Sequence, residues 1–143
     1  MSREFVALAL MGIDQHENGA IAVARMLREA QMRVDYLGKF NTPASVADKA
    51  IAMDVDVVGV SCHSWEYLSL VPQLMEELRK RGSDIPVVVG GSVITPEDGE
   101  RIREYGVSAV FTGAARGDEI IECLRELSKT RKRSKSLAVQ TPA

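Results

Sequence analysis

Hydrophobic residues along this chain recur at two spacings that alternate from one end to the other. Short apolar runs stand at 5–10 (FVALAL), 34–38 (VDYLG), 56–61 (DVVGVS), 85–91 (IPVVVGG) and 108–111 (SAVF). Between them the spacing turns helical. Ala20, Val23, Ala24, Leu27 and Ala30 share one face, with Arg25, Arg28 and Glu29 elsewhere. Leu70, Val71, Leu74, Met75 and Leu78 repeat the pattern, as do Ile120, Leu124 and Leu127. Thr42-Pro43 and Thr95-Pro96 read as N-caps followed by proline at the first helical position, the second with Glu97 and Asp98 behind it. Gly82 and Gly106 stand where the third and fourth helices should stop. The order predicted is βαβαβαβαβα. Valine-rich strands such as PVVVG suit a parallel sheet covered on both faces. The expected fold class is therefore α/β: a flavodoxin-like (Rossmann-like), doubly wound, five-stranded parallel sheet in the order 2-1-3-4-5.

Composition narrows the use to which such a sheet can be put. At 143 residues the chain is expected to form one domain, with no room for a second substrate barrel. Two cysteines, Cys62 and Cys123, are too few for a disulfide framework or a Cys-rich zinc site. No apolar run reaches membrane-spanning length. The opening MSREFVALALMG lacks the pattern of a secretory signal, so a cytoplasmic protein is expected. Charge is uneven: residues 129–143 hold five of the 18 basic residues and no acidic one, leaving 13 basic against 20 acidic in the body. So acidic a body argues against a nucleic-acid groove. The folded domain is expected over residues 1–128, with 129–143 as a basic, disordered C-terminal segment.

In open α/β sheets ligands bind beyond the carboxyl ends of the strands, where the strand order reverses. The loops expected there read MGIDQHENGA, SCHSWEY, GGSVITPED and TGAARGD. None carries the lysine of a phosphate-binding P-loop, and the first has only Gly12 and Gly19 where a dinucleotide fingerprint needs three glycines. Strand three ends in Ser61 and strand five in Phe111-Thr112, against the aspartate and lysine of a phospho-acceptor receiver domain. What remains is Asp14-Gln15-His16-Glu17-Asn18-Gly19, between the first strand and the first helix. An aspartate two residues before a histidine can hold one ring nitrogen while the other ligates a metal. The same spacing also serves a loop pair that gives only local order. Gly19 is expected to open the helix and let something bulky approach the backbone. With two histidines and two cysteines in all, a free-standing zinc or iron site is disfavoured. A metal with one protein ligand requires its other positions to come from a macrocycle.

At this point the residues resemble the cobalamin (B12)-binding domain of the methylmalonyl-CoA mutase family. That family's signature, Asp-x-His-x-x-Gly, then Ser-x-Leu, then Gly-Gly on strand ends one, three and four, is similar to Asp14-x-His16-x-x-Gly19, Ser61-x-His63 and Gly90-Gly91 here. The likeness covers roughly residues 5–127. It implies that His16 is the lower axial ligand to cobalt, replacing the cofactor's own base, and that Asp14 bonds the other ring nitrogen. It implies that the displaced nucleotide tail enters a slot where Ser61 gives a hydrogen bond and Gly90 and Gly91 allow close approach. Gln15, Glu17, Asn18 and Gly19, with Thr112 and Gly113 on the fifth loop, complete the expected cofactor contacts.

The departures are as informative as the matches. His63 replaces the family's leucine and is open to three readings: a polar contact in an altered slot, a solvated loop residue, or a second metal ligand. Leu10 stands where mutases often have lysine, and Thr112-Gly113-Ala114-Ala115 replaces a frequent Gly-Pro-Gly-Thr. Cys62 reads as a small buried residue rather than a redox thiol. Trp65 and Tyr67 either pack beside the corrin or a partner, or anchor the third helix. The resemblance implies a small subunit of an adenosylcobalamin-dependent acyl-CoA mutase, an isomerase working by radical chemistry. Its acyl-CoA substrate would lie in a large TIM-barrel subunit on another chain. The alternatives are a corrinoid carrier, chaperone or sensor that catalyses nothing, and a derived domain that has lost cobalamin.

Overall fold

The computed structural model describes residues 3–113 and 115–140, with side chains to residue 135. Ten elements alternate along it: β1 (Phe5–Ala9), α1 (Glu17–Glu29), β2 (Arg33–Tyr36), α2 (Pro43–Met53), β3 (Val57–Ser61), α3 (Tyr67–Lys80), β4 (Val87–Gly90), α4 (Pro96–Arg103), β5 (Ala109–Phe111) and α5 (Gly117–Gln140). All strand pairs are parallel and the order is β2-β1-β3-β4-β5, as the hydrophobic pattern predicts. Strand order reverses between β1 and β3, so their carboxyl ends open a crevice there.

Period-two alternation divides the core between two faces. Ala7, Ala9, Val58, Val60, Val87 and Val89 point to the side covered by α2, α3 and α4. Val6, Leu8, Val57 and Val88 point to the side covered by α1 and α5, where Ala24, Leu27 and Leu124 meet them. Each fully buried valine or leucine among them contributes about 1.5–3 kcal/mol. The second face is the thinner one. At its centre stands Gly59, where an added Cβ would lie 2.6 Å from Leu8 Cδ2. A strand without a side chain at that point leaves space between the sheet, α1 and α5.

The two helix starts signalled by Thr-Pro follow their sequence signals. Thr42 Oγ1 accepts from the Ser45 amide (3.0 Å) while Ser45 Oγ accepts from the Thr42 amide (2.9 Å), a reciprocal cap. Thr95 Oγ1 accepts from the Asp98 amide (3.1 Å). Helix α1, by contrast, is capped by His16, which gives the first turn no side-chain hydrogen bond. A poor cap costs about 1 kcal/mol against Ser or Asp, and such local departures cluster where function outranks stability.

Two expectations need correction. Gly19 does not open α1; the helix begins at Glu17, and Gly19 lies within its first turn. Nor does the fold end at residue 128. Helix α5 continues to Gln140 and carries most of the expected disordered segment; residues 141–143 lie outside the described residues. Arg131 reaches Asp54 (3.5 Å) and Asp84 (3.7 Å), Lys135 reaches Asp54 (2.6 Å), and Lys132 reaches Asp56 (3.5 Å). Basic residues that repel one another in isolation are thus paired with aspartates at the amino-terminal edge of the sheet, which no local reading of 129–143 could supply. No helix among the described residues is long and apolar enough to cross a membrane.

Candidate functional site at the carboxyl edge of the sheet

Asp14 is the centre of the site. Its side chain is 5% exposed, whereas that of His16 is 69% exposed. Asp14 Oδ1 accepts from the His16 amide (3.1 Å) and pairs with His16 Nδ1 (2.9 Å). Its other oxygen, Oδ2, accepts from the His63 amide (2.8 Å), tying the β1–α1 loop to the loop after β3. Burial pushes the Asp14 carboxyl up, but the bonds from the His63 amide, the His16 ring and the His16 amide, with the charge of His63, outweigh it. The net effect holds the carboxyl below its ordinary value of 3.8. An ionised Asp14 accepts from Nδ1 and so favours the ring tautomer with its proton there. The lone pair is then on Nε2, the form in which a histidine ligates a metal.

Beside this pair lies a cleft of about 320 Å³ between the sheet, α1 and α5. Gly19 and Val23 of α1 form one wall, Ile120 and Leu124 of α5 another, and Gly59, Ser61, Gly90 and Gly91 line the strand ends. Thr112 and Gly113 reach the same cleft from the loop after β5. Its shape depends on missing side chains. A Cβ on Gly91 would stand 1.7 Å from the Cys62 carbonyl oxygen, so no other residue fits this backbone. A Cβ on Gly90 would meet Phe111 at 3.5 Å, an ordinary contact, so its hydrogen leaves room for the cleft and is not demanded by the fold.

His63 lies in the wall of this cleft and is no solvated loop residue. Its Nε2 stands 2.9 Å from Ser61 Oγ and its Nδ1 3.2 Å from Ser92 Oγ. Gly19 permits this: a Cβ there would be 3.0 Å from Nε2. The His16 and His63 rings are 6.0 Å apart between centroids. No group of three or more His, Cys, Asp or Glu among the described residues could hold a metal ion by itself.

The remaining predicted contacts divide. Glu17 turns away from the cleft, where its carboxylate accepts from Tyr36 Oη (2.6 Å). Burial and that carboxylate push the Tyr36 hydroxyl up to about 12. Gln15 and Asn18 lie outside the cleft lining. Cys62 is buried, and burial followed by the Asp14 charge raises its thiol, so it remains an inert thiol. Tyr67 is buried at the start of α3 and anchors it, while Trp65 is exposed. Sequence reasoning missed three residues. Ser92, directly after Gly90-Gly91, holds His63. Glu66 accepts from the Ile13 amide (2.9 Å), and buried Asn41 donates to the Leu10 (3.0 Å) and Gly38 (2.9 Å) carbonyls, so both shape the loop that carries Asp14. Only Ser92, by adjacency to the glycine pair, carried a signal in the sequence.

Fold and site together define a doubly wound α/β domain whose ligand site combines one exposed histidine with an apolar cleft at the switch point. Residues 6–124 match the family described as B12 binding domain, and the chain belongs to that family. It is 40% identical over 126 residues to the 2-hydroxyisobutanoyl-CoA mutase small subunit of Aquincola tertiaricarbonis, covering 88% of this chain and 93% of the relative. It is 38% identical over 125 residues to the pivalyl-CoA mutase small subunit of Xanthobacter autotrophicus, covering 87% and 83%. The methylmalonyl-CoA mutase large subunit of Streptomyces virginiae is 41% identical over 109 residues, 76% of this chain but 15% of that one. Among solved structures, a cobalamin-binding protein from Desulfitobacterium hafniense superposes with a TM-score of 0.76 at 19% identity, over 87% of this chain and 59% of that one, a likeness of fold.

The donor set fits a cobalamin. A macrocycle fills four positions of its metal, so one imidazole with a fixed lone pair suffices. A narrow, glycine-walled, mostly apolar cleft beside that imidazole suits a flat heterocyclic base.

Proposed function

We propose that this chain is the cobalamin-binding small subunit of an acyl-CoA mutase and holds adenosylcobalamin base-off, with His16 Nε2 as the lower axial ligand to cobalt. The observation that carries the proposal is the buried, ionised Asp14 fixing His16 Nδ1 at 2.9 Å beside the cleft. When bound, the cofactor supplies the homolytic chemistry of carbon-skeleton rearrangement. This chain's residues contribute binding and orientation. Asp14 keeps the proton on Nδ1 and strengthens Nε2 as a donor. Ser61 offers its hydroxyl to the nucleotide base, and Gly90 and Gly91 let that base lie against the backbone. The apolar walls exclude water from it.

The two small-subunit relatives span nearly the same length as this chain, which supports a two-chain enzyme. A large TIM-barrel subunit then binds the acyl-CoA, and the reaction takes place where the barrel meets the carboxyl edge of this sheet. The free thiols of Cys62 and Cys123 suit a reducing, cytoplasmic compartment.

Titration of the purified protein with adenosylcobalamin, followed by visible absorption, tests the proposal. Wild type is expected to shift the spectrum to the base-off, histidine-ligated form, and His16→Ala to lose that shift. Equal spectra for the two proteins would overturn the ligand assignment. Co-purification with a barrel subunit is expected; cobalamin binding with no such partner would instead indicate a corrinoid carrier.

A further inference from the structure

Helix α1 starts weakly by its own sequence. Its cap, His16, gives no side-chain hydrogen bond, and its first three residues are Glu17, Asn18 and Gly19. Asparagine and glycine are poor helix formers, and a first turn leaves its N–H groups without partners inside the helix. Left to itself, such a turn frays. His16 stands directly before it, with a ring too exposed to be held by packing. Asp14 secures His16 from the loop side through the amide and Nδ1. The chain on the other side of His16 needs a second anchor.

That anchor comes from the edge of the sheet. Tyr36 is the last residue of β2, stands in register with Leu8 of β1, and packs on the α1 side of the core. Its hydroxyl donates to Glu17 Oε1 at 2.6 Å, while the Lys39 ammonium stands 3.7 Å from Glu17 Oε2. Both oxygens of the carboxylate are thus engaged by groups at the carboxyl end of β2. The half-exposed lysine pair contributes little, so the tyrosine carries the brace. Its hydroxyl, raised to about 12, stays protonated and remains a donor.

We propose that Glu17 and Tyr36 are positioning residues whose bond holds the first turn of α1 on the sheet before the cofactor arrives, so that His16 meets cobalt without the turn having to fold. The proposal rests on His16 being the axial ligand. Neither Glu17 nor Tyr36 lines the cleft, and both act through the place of His16. Once His16 is ligated, the turn is held at that end too. Loss of the brace should therefore slow association and leave dissociation alone.

Stopped-flow absorption of the cofactor-free protein mixed with adenosylcobalamin separates the two rates. Amide hydrogen exchange at residues 21–23, whose N–H groups bond to the carbonyls of the first turn, reports the turn without any cofactor. A bond to a charged group shifts an equilibrium by about tenfold or more. Tyr36→Phe removes only the hydroxyl. Exchange at 21–23 is expected to quicken by roughly five- to tenfold, and association to slow about threefold as the ordered fraction falls to about a third. Glu17→Ala should do the same and the double variant no more, since all three lose one bond. Glu17→Gln keeps an oxygen for the Tyr36 hydroxyl and should retain most of the wild-type rate. Ser128→Ala, which loses its bond to Asp56 at the far edge of the sheet, should melt lower yet associate like wild type, so lowered stability alone does not produce the effect. An unchanged association rate in Tyr36→Phe or in Glu17→Ala, or an equal slowing in Ser128→Ala, would overturn the proposal while ligation by His16 stands. Wild type that fails to bind, or His16→Ala that binds with the same spectrum, would instead overturn the reading on which it rests.

Discussion

Replacing Asp14 by asparagine changes almost nothing in shape and reverses half of its hydrogen bonding. The carboxylate receives three donors: the His16 amide and ring on Oδ1, and the His63 amide on Oδ2 at 2.8 Å. An amide has one oxygen and one donating NH2. If its oxygen stays with His16, the NH2 faces the His63 amide, donor against donor. If it turns to His63, the NH2 faces His16 and can donate to Nδ1, which moves the ring proton to Nε2 and removes the metal-binding lone pair. Either orientation strands a main-chain N–H. Asp14 is 5% exposed, so the loss is not screened by solvent. Bonds to charged groups contribute about 1.5–3 kcal/mol each, and one is lost outright. A cost of about 2–3 kcal/mol corresponds to a drop in Tm of roughly 6–10 °C for a chain of this length. Thermal melting by circular dichroism measures it, and long-range 15N NMR of the His16 ring reports the tautomer. The native Asp14 contributes stability above its ordinary pKa that fades as pH falls through its lowered folded value, so the variant should also flatten the acid limb of stability against pH. An Asp14→Asn protein that melts within about 1 °C of wild type, with His16 still protonated on Nδ1, would refute this reasoning.

Other substitutions separate the fold from the site. Gly91→Ala drives a Cβ to within 1.7 Å of a backbone oxygen and should cost more than about 4 kcal/mol, seen as loss of soluble folded protein on expression. Gly90→Ala meets only ordinary contacts, so it should melt like wild type yet weaken cobalamin binding measurably in an absorption titration. Ser128→Ala removes the 2.9 Å bond to buried Asp56 and should cost about 1.5–3 kcal/mol in urea denaturation. Truncation after residue 130 removes Arg131, Lys132 and Lys135 from their aspartates and should cost about 1–3 kcal/mol, a difference that shrinks in high salt. Asp54 is held below its ordinary value of 3.8, chiefly by Lys135 against a smaller opposing effect of burial. Its contribution is present above that pH and lost below it, so the truncated and full-length chains should converge in stability on acidification.

The fold was legible because its signals are local. Valine runs, Thr-Pro caps and the glycines at 82 and 106 each fix an element within a few residues, and Gly82 and Gly106 indeed carry positive φ past their helix ends. The site was legible only along the chain. Asp14 and His16, two residues apart, could be paired from spacing, but the tie from Asp14 to the His63 amide spans 49 residues and exists only in the folded sheet. The same holds for Ser92, which meets His63 across 29 residues, and for the basic end of α5, whose aspartate partners lie up to 81 residues away. Glu17 illustrates the opposite case: it adjoins His16 in the chain, yet one helical position turns its side chain toward Tyr36.

Electron paramagnetic resonance of the Co(II) cobalamin complex tests the proposed ligation of cobalt by His16 Nε2. With protein of natural isotope content, the cobalt lines should be split into triplets by one axial 14N. Protein made with 15N-histidine should turn each triplet into a doublet, and His16→Ala should remove the protein-derived splitting altogether. Triplets that persist unchanged in the 15N-histidine protein would show the nitrogen to come from the cofactor's own base, and would contradict the account.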